Sequence, residues 1–236
     1  MYKKNIKLQK LIKYYSLINH QLIFSNNSIN RYKQQIELGS ENKKKSLEIL
    51  KKSILKIQNC DLKKNANNIV FCDGNPNAKI MIVGEGPGAN EDQEGLPFVG
   101  RAGQLLDKML KSINLDRGNV YITNVVNFRP PSNRRPSDEE INRYLPFLMK
   151  HIEIIEPKIL LLLGSTALNA IIGKENVISK ARGKWITKNI GYCKTNVIAS
   201  FHPAFLMRQP DQKKFSWVDL KMIREKIKEL KIKIEK

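Results

Sequence analysis

Acidic residues are scarce in this chain: 22 Asp and Glu against 42 Lys and Arg leave a formal net charge of +20 over 236 residues. A surface of that sign attracts polyanions, nucleic acid foremost. Cysteine is scarcer still. Cys60, Cys72 and Cys193 are odd in number and irregularly spaced, which excludes a disulfide framework and fits a reducing cytoplasm. No apolar run reaches the roughly 18 residues of a membrane-spanning helix, so no membrane partner is expected. The opening stretch MYKKNIKLQKLIKYYSLINH interleaves its apolar residues with lysines and has no small-residue cleavage site, which argues against a secretory signal. Two nucleotide-binding signatures are missing as well. The glycine turn GEGPG lacks the Gly-Lys-Ser/Thr ending of a phosphate-binding loop, and Pro87 interrupts the dinucleotide pattern.

Hydrophobic residues make up 41% of the chain, enough for one compact α/β domain with an accessory segment. Residues 1–56 read as a basic helical extension. Leu8, Leu11, Ile12 and Tyr15 recur at helical spacing, as do Leu47, Leu50, Ile54 and Ile57. The main domain is expected over 57–236. Four apolar stretches read as strands: AKIMIVGEGPG, NVYITNVVNF, KILLLLGSTA and CKTNVIASFHP. Between and after them come amphipathic helices, one opened by Ser137 with Glu140 as a capping box. This alternation predicts an α/β fold with a central, mostly parallel four-stranded sheet flanked by helices. In such folds ligands sit beyond the C-terminal strand ends. Three of those ends carry unusual residues: the turn Gly84-Glu85-Gly86-Pro87-Gly88, Asn124, and His202-Pro203.

Each of these residues has a chemical reading and a plainer one. Gly84, Gly86 and Gly88, with Pro87 among them, let backbone N–H groups approach a ligand closely, or simply make a turn. Glu85 can bind a polar ligand edge or position a water. Asn124 presents a donor beside an acceptor, which matches the Watson–Crick edge of a pyrimidine; alternatively its amide satisfies neighbouring backbone. Phe98 can stack on a base or fill the core. His202 ends a strand, where a neutral imidazole can donate to an oxygen that gains negative charge. The segment after it, with Leu206 and Arg208, has the character of an apolar wedge for a base stack. Arg129, Arg134, Arg135, Arg182 and Lys184 stand in loops near strand ends and suit phosphate contacts, which position rather than specify; a solvated surface is the plainer reading.

Four stretches, in this order, are shared with one known group: VGEGPGANEDQEGLPFVGRAGQLLDKML, YITNVVNFRPPSNRRPSDEE, RGKW and HPAFLMRQP. Over about residues 57–225 the chain resembles the family 4 uracil-DNA glycosylases. The resemblance implies a three-layer glycosylase fold and hydrolysis of the N-glycosidic bond of deoxyuridine in DNA. Uracil would be released and an abasic site left, without strand cleavage. It implies that the GEGPG loop with Glu85 holds water and uracil, that Phe98 stacks on the flipped base and that Asn124 reads its edge. His202 would stabilise the departing anion, and Leu206 would fill the vacated place in the duplex. Uracil-containing DNA is the implied partner, and a monomer is the default expectation. Two alternatives stay open: a glycosylase of different or broader base preference, and a DNA-binding member of the fold without activity.

Members of that group hold a [4Fe–4S] cluster on four cysteines. The matching positions here are Ile57, Cys60, Phe128 and Tyr144. One ligand in four cannot hold the cluster, and Cys72 and Cys193 fall outside the pattern. The expectation is a metal-free, cofactor-free enzyme whose apolar and aromatic replacements fill the vacated space.

Overall fold

The computed structural model describes residues 40–234. The helix expected around Leu8–Tyr15 lies outside the described residues. The chain order is α1 (Ser40–Leu55), α2 (Asp61–Asn65), β1 (Asp73–Gly74), β2 (Ile80–Gly84), α3 (Ala89–Glu94), α4 (Arg101–Lys111), β3 (Tyr121–Asn124), α5 (Asp138–Ile155), β4 (Ile159–Leu163), α6 (Gly164–Ile171), α7 (Ile178–Ala181), β5 (Ile186–Ile190), β6 (Cys193–Ser200), α8 (Pro203–Arg208) and α9 (Lys213–Glu229).

These strands form one six-stranded sheet in the order β1-β3-β2-β4-β6-β5. Pairings β3–β2, β2–β4 and β4–β6 are parallel. Both outer pairings, β1 with β3 and β5 with β6, are antiparallel. The expected mostly parallel four-stranded sheet is therefore corrected to a mixed sheet of six strands. The physical reason lies in the two edges. β1 is two residues long, too short for any periodic signal. β5, ITKNI, keeps only Ile190 buried, so it has no buried face for the sequence to betray. Polar, exposed edges of this kind also discourage further pairing.

The central strands IMIVG and ILLLL are buried on both faces, as parallel strands between helical layers must be. Alternation of side chains divides them between two cores. Met81, Val83, Leu160 and Leu162 join Leu47, Leu50 and Ile54 of α1, Tyr144 and Leu148 of α5 and Leu168 of α6. Ile80, Ile82, Leu161 and Ile198 join Leu106 and Leu110 of α4, Leu206 of α8 and Leu220 and Ile223 of α9. The two helical layers thus clamp the sheet and bring the ends of β2, β3 and β6 to one edge.

Two local devices fix the helices on the first face. Ser137 accepts the Glu140 N–H at 3.2 Å while its own N–H donates to Glu140 Oε2 at 2.7 Å, closing the capping box of α5. At the other end of α5 the buried Lys43 ammonium donates to the Ile155 carbonyl at 2.8 Å. That contact satisfies a helix-terminal acceptor and docks α1. Among the described residues no helix is long and apolar enough to cross a membrane.

Candidate active site

Gly84 ends β2 directly beside Asn124, its partner in β3. A Cβ on Gly84 would sit 2.4 Å from Asn124 Oδ1 and 2.5 Å from Phe98 Cζ. The missing side chain is what allows the amide and the ring to converge there. Asn124 is buried, yet among the described residues nothing hydrogen-bonds its amide. Its side chain instead lines a cavity of ≈ 180 Å³ with Glu85, Gly86, Pro87, Gly88, Phe98 and His202. The reading in which Asn124 satisfies neighbouring backbone does not describe this geometry.

Phe98 has φ +56, a conformation costly for a bulky residue and one that surrounding structure must enforce. Arg117 enforces it. Its guanidinium donates to the Phe98 carbonyl and to that of Pro97 at 3.2 Å, and is itself held by Asp73 at 2.5 Å and Asp107 at 2.9 Å. The Glu91 carboxylate accepts the N–H groups of Gly88 at 3.1 Å and Gly100 at 2.8 Å. One side chain therefore ties the GEGPG turn to the loop that carries Phe98.

His202 follows β6 and caps α8: its Nδ1 accepts the Ala204 N–H at 3.2 Å. In the neutral ring the proton then resides on Nε2, free to donate. Burial, with the Arg208 charge adding to it, lowers its pKa to about 4, so the imidazole is neutral at physiological pH. The ring lies 5.5 Å from that of Phe98, 28° from coplanar. Glu85 is held by the Thr166 hydroxyl, which donates to its Oε2.

The cationic positions separate into three groups. Arg135, Lys184 and Arg208 are exposed. Arg129 donates to Asn133 Oδ1 at 2.8 Å, and Arg134 makes a bidentate pair with Glu140 at 2.7 and 2.6 Å; Arg134 and Asn133 line the cavity rim. Arg182 is committed elsewhere. It pairs with the fully buried Asp219, its Nε at 3.0 Å from Oδ2, and its guanidinium lies over the Phe201 and Phe215 rings. Leu206 is 1% exposed and belongs to the second core, so entry of this side chain into a duplex requires α8 to move.

Sequence reading missed Glu91, Arg117, Asn133 and Thr166. Glu91 carried a findable signal, a glutamate three residues into the helix that Gly88 opens. Arg117 and Thr166 act across loops and strands and leave no local trace, while Asn133 acts within its own loop, on Arg129 four residues earlier.

The four positions that match the cluster ligands do meet. The Cys60 sulfur lies 3.2 Å from the Tyr144 hydroxyl, the Phe128 and Tyr144 rings are 6.5 Å apart, and Ile57 packs against the same core. Burial pushes the Tyr144 phenol far above its ordinary range, so it is no phenolate ligand. One thiol, already hydrogen-bonded and walled in by rings, does not fit a four-thiolate cluster. Among the described residues no group of three or more His, Cys, Asp or Glu is placed to hold a metal ion.

Comparison with known proteins agrees with this construction. The profile of the uracil DNA glycosylase superfamily matches residues 71–224. The type-4 uracil-DNA glycosylase of Sulfurisphaera tokodaii is 43% identical over 185 residues, 76% of this chain and 84% of that protein. That of Thermotoga maritima is 44% identical over 163 residues, 69% and 83% of the two chains. That of Archaeoglobus fulgidus is 40% identical over 184 residues, 76% and 92%. A match of this extent, over a sheet whose three strand ends share one cavity, places the chain in the uracil DNA glycosylase superfamily, among its type-4 members.

Proposed function

We propose that this protein hydrolyses the N-glycosidic bond of deoxyuridine in DNA, releasing uracil and leaving an abasic site for base excision repair. The observation that carries the reading is the Asn124 amide, unpartnered among the described residues and facing the same cavity as Phe98, Glu85 and a neutral His202. A base must leave the stack before its C1′ bond can be reached. In the cavity Phe98 offers a face to the flipped ring. Asn124 offers its donor to a uracil carbonyl and its acceptor to the ring N–H. As the bond breaks, charge collects on the base, and His202 Nε2–H donates to the oxygen that takes it. Glu85 orients a water toward the electron-poor sugar carbon. Strand cleavage by a lyase step would need an amine at C1′; among the described residues no lysine lines the cavity, which favours a monofunctional hydrolase.

Arg135, Lys184 and Arg208 serve the DNA backbone, with Arg134 at the cavity rim, Arg129 bonded to Asn133 of that rim, and the +20 charge supplying long-range attraction. We assign residues 57–236 to the catalytic domain and 1–56 to a basic extension. The described part of that extension, α1, braces the core around Cys60 and Tyr144. Three unpaired cysteines fit a cytoplasmic enzyme, and we take it to act as a monomer.

The test is direct. Single- and double-stranded oligonucleotides with one uracil are incubated with the protein and then treated with alkali. Scission at the uracil is expected, and intact strands would sink the assignment.

A further inference from the structure

The junction between β4 and α6 touches two groups of the site that come from other strands. Thr166, in the first turn of α6 and fully buried, donates its hydroxyl hydrogen to Glu85 Oε2. Two residues earlier Gly164 has φ +88, and a Cβ on it would lie 3.1 Å from His202 Cβ. β4 lies between β2 and β6 in the sheet, with Leu162 opposite both Val83 and Ala199. The junction therefore stands between the strand that Glu85 follows and the strand that His202 follows.

A glutamate at a loop tip has little to hold it. Its terminal torsion is broad and roughly two-fold rather than locked in one staggered well. Threonine is suited to correct this. Its branched side chain is restricted to few χ1 wells in a helix, and its hydroxyl supplies a single donor. With Oε2 engaged, the carboxylate plane is set and Oε1 is left to meet a water.

We propose that Thr166 is a positioning residue for base excision: its hydroxyl orients the Glu85 carboxylate so that the free oxygen aims the attacking water at C1′. The inference rests on the role assigned to Glu85 above. It adds a residue that touches neither base nor sugar.

Single-turnover excision from a uracil oligonucleotide separates this role from a merely structural one. T166V keeps the shape and removes the donor. It is expected to lower the limiting rate by about ten- to a hundredfold, the scale of a misaimed reactant, and to leave the half-saturating enzyme concentration unchanged. T166S restores the donor and should recover most of the rate. In the E85Q background T166V should cost nothing further. A T166V rate within about twofold of the parent, below the range that misplacement produces, overturns the proposal. So does an equal loss in T166S, which would make the methyl group responsible, or losses that multiply in E85Q/T166V. Parent protein that releases no uracil sinks the functional reading itself, and this inference with it. Melting curves for each variant identify a loss caused by unfolding, and the E85Q pair decides the matter where T166V is less stable.

Discussion

The Tyr144 hydroxyl lies 3.2 Å from the sulfur of Cys60. Cys60 is the lone cysteine among the four positions that the family resemblance marks for cluster ligands, and Tyr144 occupies another of those positions. The contact makes one hydrogen-bonded pair out of a retained ligand and a replaced one. Phe128 meets Tyr144 edge-on, and α1 closes the region with Leu47, Leu50 and Ile54. What a metal cluster would cross-link is joined here by packing, with a buried phenol at its centre.

Truncating that phenol should therefore be costly, and removing its hydroxyl much less so. Tyr144→Ala is expected to destabilise the fold by about 3–5 kcal/mol, the range for losing a large buried ring. Tyr144→Phe should cost about 1 kcal/mol, one hydrogen bond. Denaturant titrations measure both. Protein purified without oxygen and offered iron and sulfide should stay colourless and bind no stoichiometric iron, and brown iron-loaded protein would overturn the account.

His202 should work as a neutral donor. Its Nδ1 accepts from Ala204, and its pKa lies near 4. The excision rate at saturating DNA is then expected to show no inflection at the ordinary imidazole value of about 6.5. It should fall only as pH drops through about 4, when Nδ1 gains a proton and the helix cap is lost. Stability follows the same sign. The folded value is below the unfolded one, so this contribution is complete above about 6.5 and is lost as pH falls toward the folded value. His202→Ala should lower the rate by about 10²–10³-fold, as for other donors to a developing anion. An inflection at the ordinary value would show that the ring titrates there and is not held neutral by its burial.

How much of this is legible in sequence depends on how local each cause is. Asn124 and His202 stand out because each is a polar residue at or just past the end of an apolar strand. The buried central strands announce themselves as unbroken apolar runs. β5 does not, because four of its five residues escape burial. Thr166 in GSTAL reads as an ordinary helix start, and its partner is 81 residues away. Arg182 reads as a free cation until the fold brings Asp219 beneath it. Long-range pairs of this kind leave no period and no motif.

Gly84 has a steric duty that no larger residue can meet. In Gly84→Ala the new methyl would lie within 2.5 Å of both Asn124 Oδ1 and Phe98 Cζ, so one or both must move. Overpacking of that kind costs roughly 1–3 kcal/mol. The larger effect should be on chemistry, about a hundredfold or more, because the base-reading amide and the stacking ring shift together. Excision assays beside melting curves check this, and a fully active G84A protein would show that neither group is constrained at this point.

Arg182 and Lys184 stand two residues apart in RGKW, and substitution should separate them completely. Arg182 is spent inside the protein. Its partner Asp219 is fully buried and also accepts the Ser200 hydroxyl at 2.7 Å. Burial alone pushes the Asp219 carboxyl up, while Ser200 and Arg182 pull it back. Removing the guanidinium leaves that charge uncompensated, a loss of about 3–5 kcal/mol in buried pairs. Ser200 ends β6 two residues before His202, so the damage should reach catalysis through the strand end. Lys184 is exposed and, among the described residues, pairs with nothing in a comparable way. Lys184→Ala should leave the melting temperature unchanged and weaken DNA binding alike for every sequence, with the salt slope smaller by about 1. Arg182→Ala should do the reverse: a lower melting temperature with an unchanged salt slope in the folded protein. Urea unfolding and binding isotherms at several salt concentrations decide between the two, and a stable Arg182→Ala protein with a reduced salt slope would return Arg182 to the DNA.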